Sequence, residues 1–543
     1  MDTPPAEQAR KRKHTFTPPT LASLFLYLSF SLSLFLFFSS SPHTLYSNPT
    51  PSLHVQDRIL FPDHVLLTLS KLQSFPSHQL RCVYYNNASS PPTVHLRPVL
   101  STDRYDAFRF IARCPLPPAQ NFSAVTLRWE NDHRPFRFPV TETINNWDDL
   151  AYAATLDGDT AVVFVKGLNL KPHKLFDPSL IRCHFGTRNG AFWLTTRAVS
   201  VAQEVARCSL PQSILNSPDK ARGVTISVSH VPRRGFETKI VPSVARIGGG
   251  GGEGERVKNR VGKKFELCAC TMVWNQARAV REWVMYHAWL GVERWFIYDN
   301  NSEDDIDDVA RELDKKGYNV TRVVWPWIKS QEAGFSHCVL KAGEECEWVG
   351  FFDVDEFFNL REGEKNGLRS LVGNFSSSWK SVAELRTVCN SFGPSGLRRH
   401  PEKGVTVGYT CRLRSSERHK SIVRPEALHV SLLNMVHHFE LKEGFEARNV
   451  APYVGVINHY KYQVWETFKA KFFRRVATYV VDWHQDVNIG SKDRAPGLGT
   501  RPIEPPDWSF RFCQVWDTRL KDFILSNFSD PLTGLLPWER SFH

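Results

Sequence analysis

The feature that most constrains the fold of this chain is a short apolar run, residues 348–352, that ends abruptly in carboxylates. An uninterrupted apolar run of this length is typical of a strand buried on both faces, as in a parallel sheet. Asp353, Asp355 and Glu356 follow the run, and two phenylalanines come next. Because open α/β sheets bind ligands outside the carboxyl ends of their strands, the sequence predicts that these carboxylates face a ligand.

Two carboxylates in an Asp-x-Asp pattern at a strand end suit a hard divalent cation. Such cations take oxygen ligands, and the diphosphate of a bound nucleotide completes the coordination shell. We therefore interpret Asp353 and Asp355 as ligands of manganese or another divalent cation, with Asp353 also facing a nucleotide-linked substrate. The alternative is a solvated acidic turn, because the Asp-x-Asp pattern is common by itself.

An alternation of strand and helix patterns surrounds this run. Val280, Trp283, Val284 and Leu290 fall along one face of a predicted helix, which Gly291 ends. The predicted strands are 265–273, 294–299 and 319–326, and the predicted helices are 277–290, about 302–316 and 332–346. The order β-α-β-α-β-α-β with short connections predicts a parallel, right-handed sheet.

The preceding part of the chain, residues 55–245, contains an internal repeat. In each unit an Arg-Cys pair leads to an Ala-Arg-Cys block that ends in Leu-Pro, and an alternating apolar and polar stretch follows. Such runs between Pro, Gly and Asn breaks are typical of antiparallel strands, so we predict a β-sandwich-like module. The symmetry of the repeat suggests two disulfides, Cys82–Cys114 and Cys183–Cys208. Residues 246–264, rich in Gly and then in basic residues, are interpreted as a linker.

The N-terminal segment indicates a membrane anchor. Residues 21–38 contain no charge, and a basic block, residues 10–13, precedes them. An apolar segment of this length spans most of a bilayer core, and the basic residues before it keep that end in the cytosol. We predict a cytosolic tail (1–19), a signal-anchor helix in contact with membrane lipid (20–41) and a stem (42–54). A cleaved signal peptide is the alternative, although the apolar core is longer than is usual for one.

Other features agree with a lumenal location for the rest of the chain. Eleven cysteines allow disulfides in an oxidising compartment, and their odd number leaves at least one without a partner in the chain. The formal net charge of +12 suits anionic partners such as nucleotide diphosphates or acidic glycans. Nucleic acid is a poor partner for this topology. Glycosylation sequons occur at Asn87, Asn121, Asn300, Asn319, Asn374 and Asn527.

The segment from residue 265 to about 525 resembles glycosyltransferase family 92, in particular its plant branch, which includes the β-1,4-galactan synthases. The resemblance rests on ordered blocks, CTMVWNQARAVREWVMYHAWLGVERWFIYDNNSEDD, WVGFFDVDEFF, CNSFGPSG, ERHKSIVRP, INHYKY and RRVATYVVDW. It implies a GT-A fold and a metal-dependent, inverting transfer from a UDP-sugar in the Golgi apparatus, with galactose favoured. It also implies that the β-rich module binds glycan. The predicted class is α/β: a GT-A nucleotide-sugar transferase domain, residues 265–530, preceded by the β-sandwich-like module and the transmembrane helix.

Several residues are expected to contact the nucleotide sugar or its cation. The ends of the first two predicted strands place polar residues in the nucleotide pocket, namely Thr271, Asn275 and Asp299. A basic cluster suited to a diphosphate or an acidic acceptor comprises Arg418, Lys420 and Arg424. Enzymes of the GT-A type often supply a late histidine, so His459 is a candidate third metal ligand. The alternatives are ordinary turn and capping roles, a solvated basic loop, and a packed or acceptor-facing histidine.

An inverting transfer also needs a carboxylate base on the acceptor hydroxyl, opposite the leaving group. Glu417 and Asp482 are the leading candidates, with Glu440 and Glu446 behind them. Asp482 is preferred because it belongs to the matched VVDW block. The alternative for Asp482 is a structural carboxylate that pairs with a neighbouring arginine.

These observations favour a Golgi membrane glycosyltransferase of single-pass type II topology with a lumenal catalytic domain. Its expected partners are a UDP-sugar donor, a cell-wall polysaccharide such as pectic galactan, membrane lipid and a second copy of the chain. One alternative is a membrane-anchored glycan-binding protein with an inactive transferase domain. Another is a lumenal glycoside hydrolase that uses two carboxylates, which the predicted parallel sheet disfavours.

Overall fold

The structure is a computed structural model that describes residues 53–70, 79–86, 91–106, 108–117, 122–138, 142–168, 170–171, 174–186, 192–231, 239–248, 263–361, 365–435, 437–471 and 504–540. The predicted tail, the predicted anchor and most of the predicted stem lie outside these residues. Among the described residues, no helix combines the length and the apolar character needed to cross a membrane.

The β-rich module, between residues 53 and 248, is built from strands and one short α-helix in its described residues, α1 (Gln212–Leu215). The sheet orders are β5-β6-β2-β1-β8, β4-β3-β7 and β15-β12-β13-β14-β10-β9, with β11 on β13. The strands are β1 (Val55–Leu60), β2 (His64–Ser70), β3 (Leu80–Asn86), β4 (Thr93–Pro98), β5 (Ser101–Arg104), β6 (Arg109–Pro115), β7 (Ala124–Trp129), β8 (Asn145–Asn146), β9 (Leu150–Asp157), β10 (Thr160–Lys166), β11 (Leu175–Phe176), β12 (Ile181–Gly186), β13 (Phe192–Ala202), β14 (Val205–Ser209) and β15 (Thr225–His230).

One disulfide ties each unit of the repeat. Cys82 in β3 pairs with Cys114 in β6, and these strands belong to different sheets, so the bridge joins two layers. Cys183 in β12 pairs with Cys208 in β14 across the long strand β13. Both predicted pairings are confirmed.

The α/β domain, from residue 263 to 540, centres on one sheet of order β18-β17-β16-β19-β23-β21-β27-β20, with β26 on β21. Its strands are β16 (Phe265–Val273), β17 (Arg294–Asp299), β18 (Val320–Val324), β19 (Cys346–Phe351), β20 (Glu356–Leu360), β21 (Val382–Ser391), β22 (Cys411–Arg412), β23 (Glu417–Val423), β24 (Asn434–Met435), β25 (His438–Phe439), β26 (Glu446–Asn449), β27 (Gly455–His459) and β28 (Val515–Trp516). Its helices are α2 (Ala277–Trp289), α3 (Ile306–Leu313), α4 (Gln331–Gly343), α5 (Gly367–Ser378), α6 (Val405–Gly408) and α7 (Arg519–Phe528), and residues 465–471 are also helical.

The four strands predicted to run in parallel do so. β16 pairs in parallel with β17 and β19, and β17 pairs in parallel with β18. The helices α2, α3 and α4 connect these strands, as the alternating pattern predicted. The α/β class therefore describes this sheet, although strands predominate over helices in the described residues as a whole.

The predicted boundaries hold where local signals act alone and shift where tertiary contacts compete. Gly291 has a φ of 101° directly after α2, as expected for the glycine that ends a helix. In contrast, α3 begins at Ile306, later than predicted. The Ser302 side chain accepts a hydrogen bond from the Asn275 amide (2.9 Å), and the Ser302 amide donates to Asp299 Oδ1 (2.9 Å). These contacts hold the segment in a turn that joins two strand ends.

A buried carboxylate joins α2 to α6. Glu282 accepts hydrogen bonds from the amides of Val405 (2.8 Å) and Thr406 (3.0 Å) and from the Thr406 hydroxyl (2.6 Å). A Cβ atom at Gly404, whose φ is 99°, would lie 2.5 Å from this carboxyl group. Burial raises the pKa of Glu282 to about 7, although the hydrogen bonds lower it. The helix pair therefore depends on a carboxyl group that titrates near neutral pH.

The β-rich module and the α/β domain form one compact unit, residues 53–543. The Trp147 ring of the module stacks on the Trp327 ring of the domain, with 5.5 Å between centroids, and both side chains are buried. Nearby, Arg322 of the domain donates to Asp103 of the module at 2.8 Å. The module therefore packs directly on the domain, in addition to its covalent connection.

Candidate active site

One edge of the central sheet gathers most of the candidate residues. β17, β19, β21 and β27 all end at this edge, and the antiparallel strands β20 and β23 begin there. Glu356 lies opposite His459 in the β20–β27 pair, and Ser391 lies opposite His459 in the β21–β27 pair. The sheet register therefore brings residues that are far apart in sequence to the acidic loop after β19.

The acidic loop is a tight turn. The Asp353 amide donates to Glu356 Oε2 at 2.9 Å, and the Glu356 amide donates to the Asp353 carbonyl at 3.0 Å. The Tyr460 amide donates to the Asp355 carbonyl at 2.8 Å, which ties the loop to the end of β27. The side chains of Asp355 and Glu356 are buried, and that of Asp353 is 31% exposed. Three carboxylates are thus fixed close together, with one open to solvent.

Two lysines offset the negative charge of these carboxylates. Lys420 Nζ lies 2.9 Å from Asp353 Oδ2 and 2.9 Å from Glu356 Oε1, and its side chain is only 8% exposed. Lys471, from the helical residues 465–471, is bonded to Asp355. In the described residues the loop is therefore an ionic cluster and not a solvated acidic turn.

The electrostatics of the cluster keep its aspartates ionised. Burial raises the pKa of Asp353, but Lys420 beside it outweighs that effect and holds the pKa well below its usual range. For Asp355, burial is opposed in the same way by Lys471 and His459, and the pKa is again depressed. Burial raises the pKa of Glu356 above its ordinary value, although Lys420 opposes the rise. Both aspartates are therefore available as anionic ligands at neutral pH.

A set of donor atoms within the cluster fits a divalent cation. Asp355, Glu356 and His459 each offer one ligand atom, and these atoms lie within 4.8 Å of one another. Asp355 Oδ2 and His459 Nε2 are 3.7 Å apart, which is too far for a hydrogen bond. That separation suits two ligands of one ion, since each would lie about 2.0–2.2 Å from it. The set contains two of the three predicted metal ligands, with Glu356 in the place predicted for Asp353.

A further ionised carboxylate lies beside this cluster. Glu417 Oε2 accepts a hydrogen bond from the Ser391 hydroxyl (2.9 Å) and from Lys461 Nζ (3.2 Å). Burial raises its pKa, but Ser391, Lys461 and His459 together lower it below the ordinary value. The Glu417 side chain is 39% exposed. It is therefore an accessible, deprotonated carboxylate, and its partner Ser391 lies opposite His459 in the sheet.

The three residues predicted for the nucleotide pocket differ in the hydrogen bonds that their side chains make. Thr271 is buried in β16, and its hydroxyl has no hydrogen-bond partner among the described residues. Asn275 makes turn contacts, since its side chain accepts from the Glu303 amide at 2.7 Å. Asp299 is buried at the end of β17 and pairs with Arg322 at 2.5 Å. The carboxylate of Asp299 is therefore held by the protein itself.

The structure separates the three predicted basic residues. Lys420 lies within the acidic cluster, as described above, and Arg418 is exposed nearby at the start of β23. Arg424 follows the other end of β23, about 13 Å from Lys420 along the strand, and pairs with Glu426 at 2.7 Å. Because β23 is antiparallel to β19, it starts at the edge of the sheet where β19 ends. Lys420 therefore lies near the acidic loop, and Arg424 lies toward the opposite edge. Asp482 lies outside the described residues.

Some residues at the site carried no signal in the sequence. The sequence analysis did not predict Lys471, His437 or Ser391. In the structure His437 Nε2 lies 2.5 Å from Lys420 Nζ. Burial, with Lys420 beside it, lowers the pKa of His437 to about 3, so this imidazole is neutral.

Comparisons with known proteins find a matching family model and similar plant proteins. A family model described as "Glycosyltransferase family 92" matches residues 263–488. A glycosyltransferase family 92 protein of Ricinus communis is 51% identical and covers 99% of this chain and 99% of its own length. Another, of Arabidopsis thaliana, is 53% identical and covers 92% of this chain and 87% of its own length.

Solved structures are similar only at a distance. Glucosyl-3-phosphoglycerate synthase from Mycobacterium tuberculosis, in complex with Mn2+, UDP and glucosyl-3-phosphoglycerate, is 12% identical to this chain. The alignment covers 39% of this chain and 80% of that one, with a TM-score of 0.21. A similarity at this level supports no argument about the site.

Proposed function

This chain belongs to glycosyltransferase family 92, and on that premise we propose that it transfers a sugar from a UDP-sugar to a glycan with inversion. Galactose is the favoured sugar, and a cell-wall polysaccharide such as pectic galactan is the favoured acceptor. The observation that carries the proposal is the ionic cluster at the carboxyl end of β19, which combines Asp353, Asp355 and Glu356 with His459 and Lys420. A GT-A architecture for the domain is part of the proposal, and the parallel strands that end at the edge of the sheet with this cluster support it.

Asp355, Glu356 and His459 are proposed to hold a divalent cation such as manganese, and Asp353 is proposed to complete the site from its solvent-exposed position. Their oxygen and imidazole donors suit that class of ion. When bound, the cation supplies positive charge at the donor diphosphate and at the departing UDP. The buried carboxylates fix the ligand geometry in advance, because backbone hydrogen bonds of Asp353, Asp355 and Glu356 hold the turn between β19 and β20.

The two lysines of the cluster are proposed to bind the diphosphate of the donor. Lys420 is held between Asp353 and Glu356, so its charge stays at the site in every state. Lys471 is bonded to Asp355 alone among the described residues, which lets its ammonium group reach a phosphate oxygen when the donor binds. Fixed positive charge at a developing anion is usually the largest single contribution to such catalysis.

Glu417 is proposed as the general base that takes the proton from the acceptor hydroxyl. Its depressed pKa keeps it deprotonated, and Ser391 and Lys461 hold one of its oxygens, which leaves the other for a substrate. Asp482 remains the alternative base. Replacing Glu417 by Gln is expected to lower the transfer rate by about a hundredfold or more, the scale of general base catalysis.

The lumen of the Golgi apparatus, with a type II anchor at residues 20–41, is the proposed location. Five disulfides are formed among the described residues, three of them in the α/β domain: Cys268–Cys346, Cys270–Cys338 and Cys411–Cys513. Disulfides in this number are typical of oxidising compartments. The β-rich module is proposed to hold the acceptor, and Trp193 on β13, 72% exposed, offers it an aromatic surface.

The test is a transfer assay with the full-length chain, a panel of UDP-sugars, manganese and galactan oligosaccharides. Product formation with one UDP-sugar, lost in Asp353→Ala and retained in Asp148→Ala, would support the proposal. Asp148 is a matched control because it is an exposed aspartate in the β-rich module. Glycan binding without transfer from any donor would contradict it and favour an inactive, glycan-binding family member.

A further inference from the structure

A pocket lies at the end of the β20–β27 strand pair that is opposite to the acidic cluster. It has a volume of about 400 Å³, and residues of α2, β20, β27 and α7 line it. Glu356 and His459 face each other at one end of the strand pair, and Leu360 and Gly455 face each other at the other. The rise of a strand separates the two ends by about 13 Å. The pocket is therefore distinct from the acidic cluster but close to it.

The floor of the pocket is apolar and preformed. Leu290, which directly follows α2, and Leu520 of α7 line it, and both are buried. Tyr286 also lines it, and the Tyr286 hydroxyl donates to the Phe358 carbonyl at 2.5 Å. Because the Tyr286 hydroxyl already has a hydrogen-bond partner and the Tyr286 ring is packed, the floor needs no rearrangement to accept a ligand. A cavity of about 400 Å³ falls within the size range of small-molecule sites.

The rim of the pocket is basic. Arg361 and Arg519 line it, and none of the lining residues in the described part of the chain is acidic. Arg519 is bonded to Asp517 at 2.9 Å and 2.6 Å, but its side chain is 63% exposed, and Asp517 also binds Arg412 at 2.8 Å. The Arg361 side chain is exposed and makes no hydrogen bond or ion pair in the described part of the chain. The excess of guanidinium groups gives the rim a positive charge.

Two further side chains add specificity to the rim. Tyr453 lines the pocket and is 71% exposed, so one face of its ring is open to a ligand. The Asn359 amide nitrogen has no hydrogen-bond partner among the described residues. An exposed aromatic ring beside guanidinium donors suits a ligand that has both an apolar face and an anionic group.

We infer that this pocket binds a carboxylate-bearing sugar of an acidic glycan and so anchors the acceptor polymer away from the site of transfer. Guanidinium groups bind carboxylates through paired, charge-assisted hydrogen bonds, and the ring of Tyr453 packs on the sugar. The inference rests on the proposed function, because it assigns the bound glycan as the acceptor. The strand pair between pocket and cluster is about 13 Å long. Its middle residues Phe357, Phe358 and Ile457 are buried, so the polymer would reach the cluster around the sheet and not along this line.

The binding test uses the full-length protein and three trisaccharide probes: trigalacturonic acid, its methyl ester and neutral galactotriose. We expect the acid to bind about tenfold or more tightly than the ester, because esterification removes the charge that Arg361 meets. Arg361→Gln and Tyr453→Ala should weaken binding of the acid by about tenfold, and Arg311→Gln should not. Arg311 is a matched control because its side chain, on α3, is 59% exposed.

Equal binding of acid and ester, or unchanged binding in both pocket variants, would overturn the inference. Displacement of the acid by inorganic phosphate at equal concentration would also overturn it, since the site would then be a simple anion site. Transfer assays separate this result from the proposed function. Arg361→Gln should raise KM for an acidic acceptor and leave transfer to a neutral acceptor unchanged. A wild-type chain that binds the acid but transfers no sugar would refute the proposed function. It would not contradict the assignment of the pocket as a binding site for the acid.

Discussion

Replacing Lys420 by Met tests whether the acidic cluster depends on its internal cation. Lys420 Nζ lies 2.9 Å from both Asp353 and Glu356, and the Glu356 side chain is completely buried. Methionine keeps most of the apolar stem of lysine and removes the charge, so two carboxylates would face each other without compensation. Removing one partner of a buried pair costs about 3–5 kcal/mol. We take about 3 kcal/mol, the lower limit of that range, because Asp353 is 31% exposed and water screens part of the interaction.

This energy corresponds to a measurable change in Tm. For a unit of roughly 500 residues, an unfolding entropy of about 2 cal/mol/K per residue converts 3 kcal/mol into a decrease of about 3 °C. The assay is differential scanning calorimetry in EDTA at pH 7, at one scan rate. Lys239→Met is the matched control, because Lys239 is 78% exposed and pairs with Asp149 at the surface. That variant should change Tm by less than about 1 °C.

Manganese should then affect the Lys420→Met variant more strongly than the wild type. Without the lysine, the carboxylates bind a cation more tightly, and a ligand that binds the folded state stabilises it by mass action. The expected result is a larger manganese-dependent rise of Tm in the variant. Equal Tm values for variant and wild type in EDTA, or a smaller rise with manganese, would refute the interpretation of Lys420 as the compensating charge.

Three further predictions concern activity, pH and the interface between module and domain. Asp353→Ala should lower the rate of sugar transfer by about a hundredfold or more, with a similar, reversible loss when the wild type is treated with a chelator. The pKa of Glu282 is raised to about 7, so its stabilising contribution is complete below about pH 4.5 and is lost as the pH rises through 7. The change is roughly 3 kcal/mol, and denaturant unfolding of Glu282→Gln should show no such decrease over this range. Trp327→Ala should destabilise the unit by about 3–5 kcal/mol, because it removes the ring that packs on Trp147. Limited proteolysis should then cleave this variant faster than the wild type, and equal cleavage rates would contradict the role of the ring.

Local patterns predicted the parallel half of the sheet well. The bounds of β16 and β17 agree with the predicted strands, because each is an apolar run that is buried on both faces. The start of α3 was wrong because Ser302, a good capping residue, forms hydrogen bonds with neighbouring strand ends and does not begin a helix. The capping signal is local, and so is the contact with Asp299, but the Asn275 amide that binds the Ser302 hydroxyl comes from the loop after β16.

The candidate site was predictable only in part. Asp355 and His459 lie together as expected, and Lys420 joins them. Arg424 does not, because β23 is antiparallel to β19 and carries Arg424 to the far edge of the sheet. Lys471 was not predicted, because no residue near it in the sequence indicates which carboxylate it forms an ion pair with.

The sequence by itself determined the elements and their chemistry: a buried strand that ends in carboxylates, and a cysteine repeat whose symmetry gave the two disulfides of the β-rich module. These are properties of short segments, in which burial and spacing are encoded by neighbouring residues. Only the tertiary structure decided which charges compensate Asp353 and Asp355, and that Glu417 binds Ser391, which lies opposite His459. Those contacts depend on the order and register of β19, β23, β21 and β27, because pairing between distant strands sets them and no short segment encodes it.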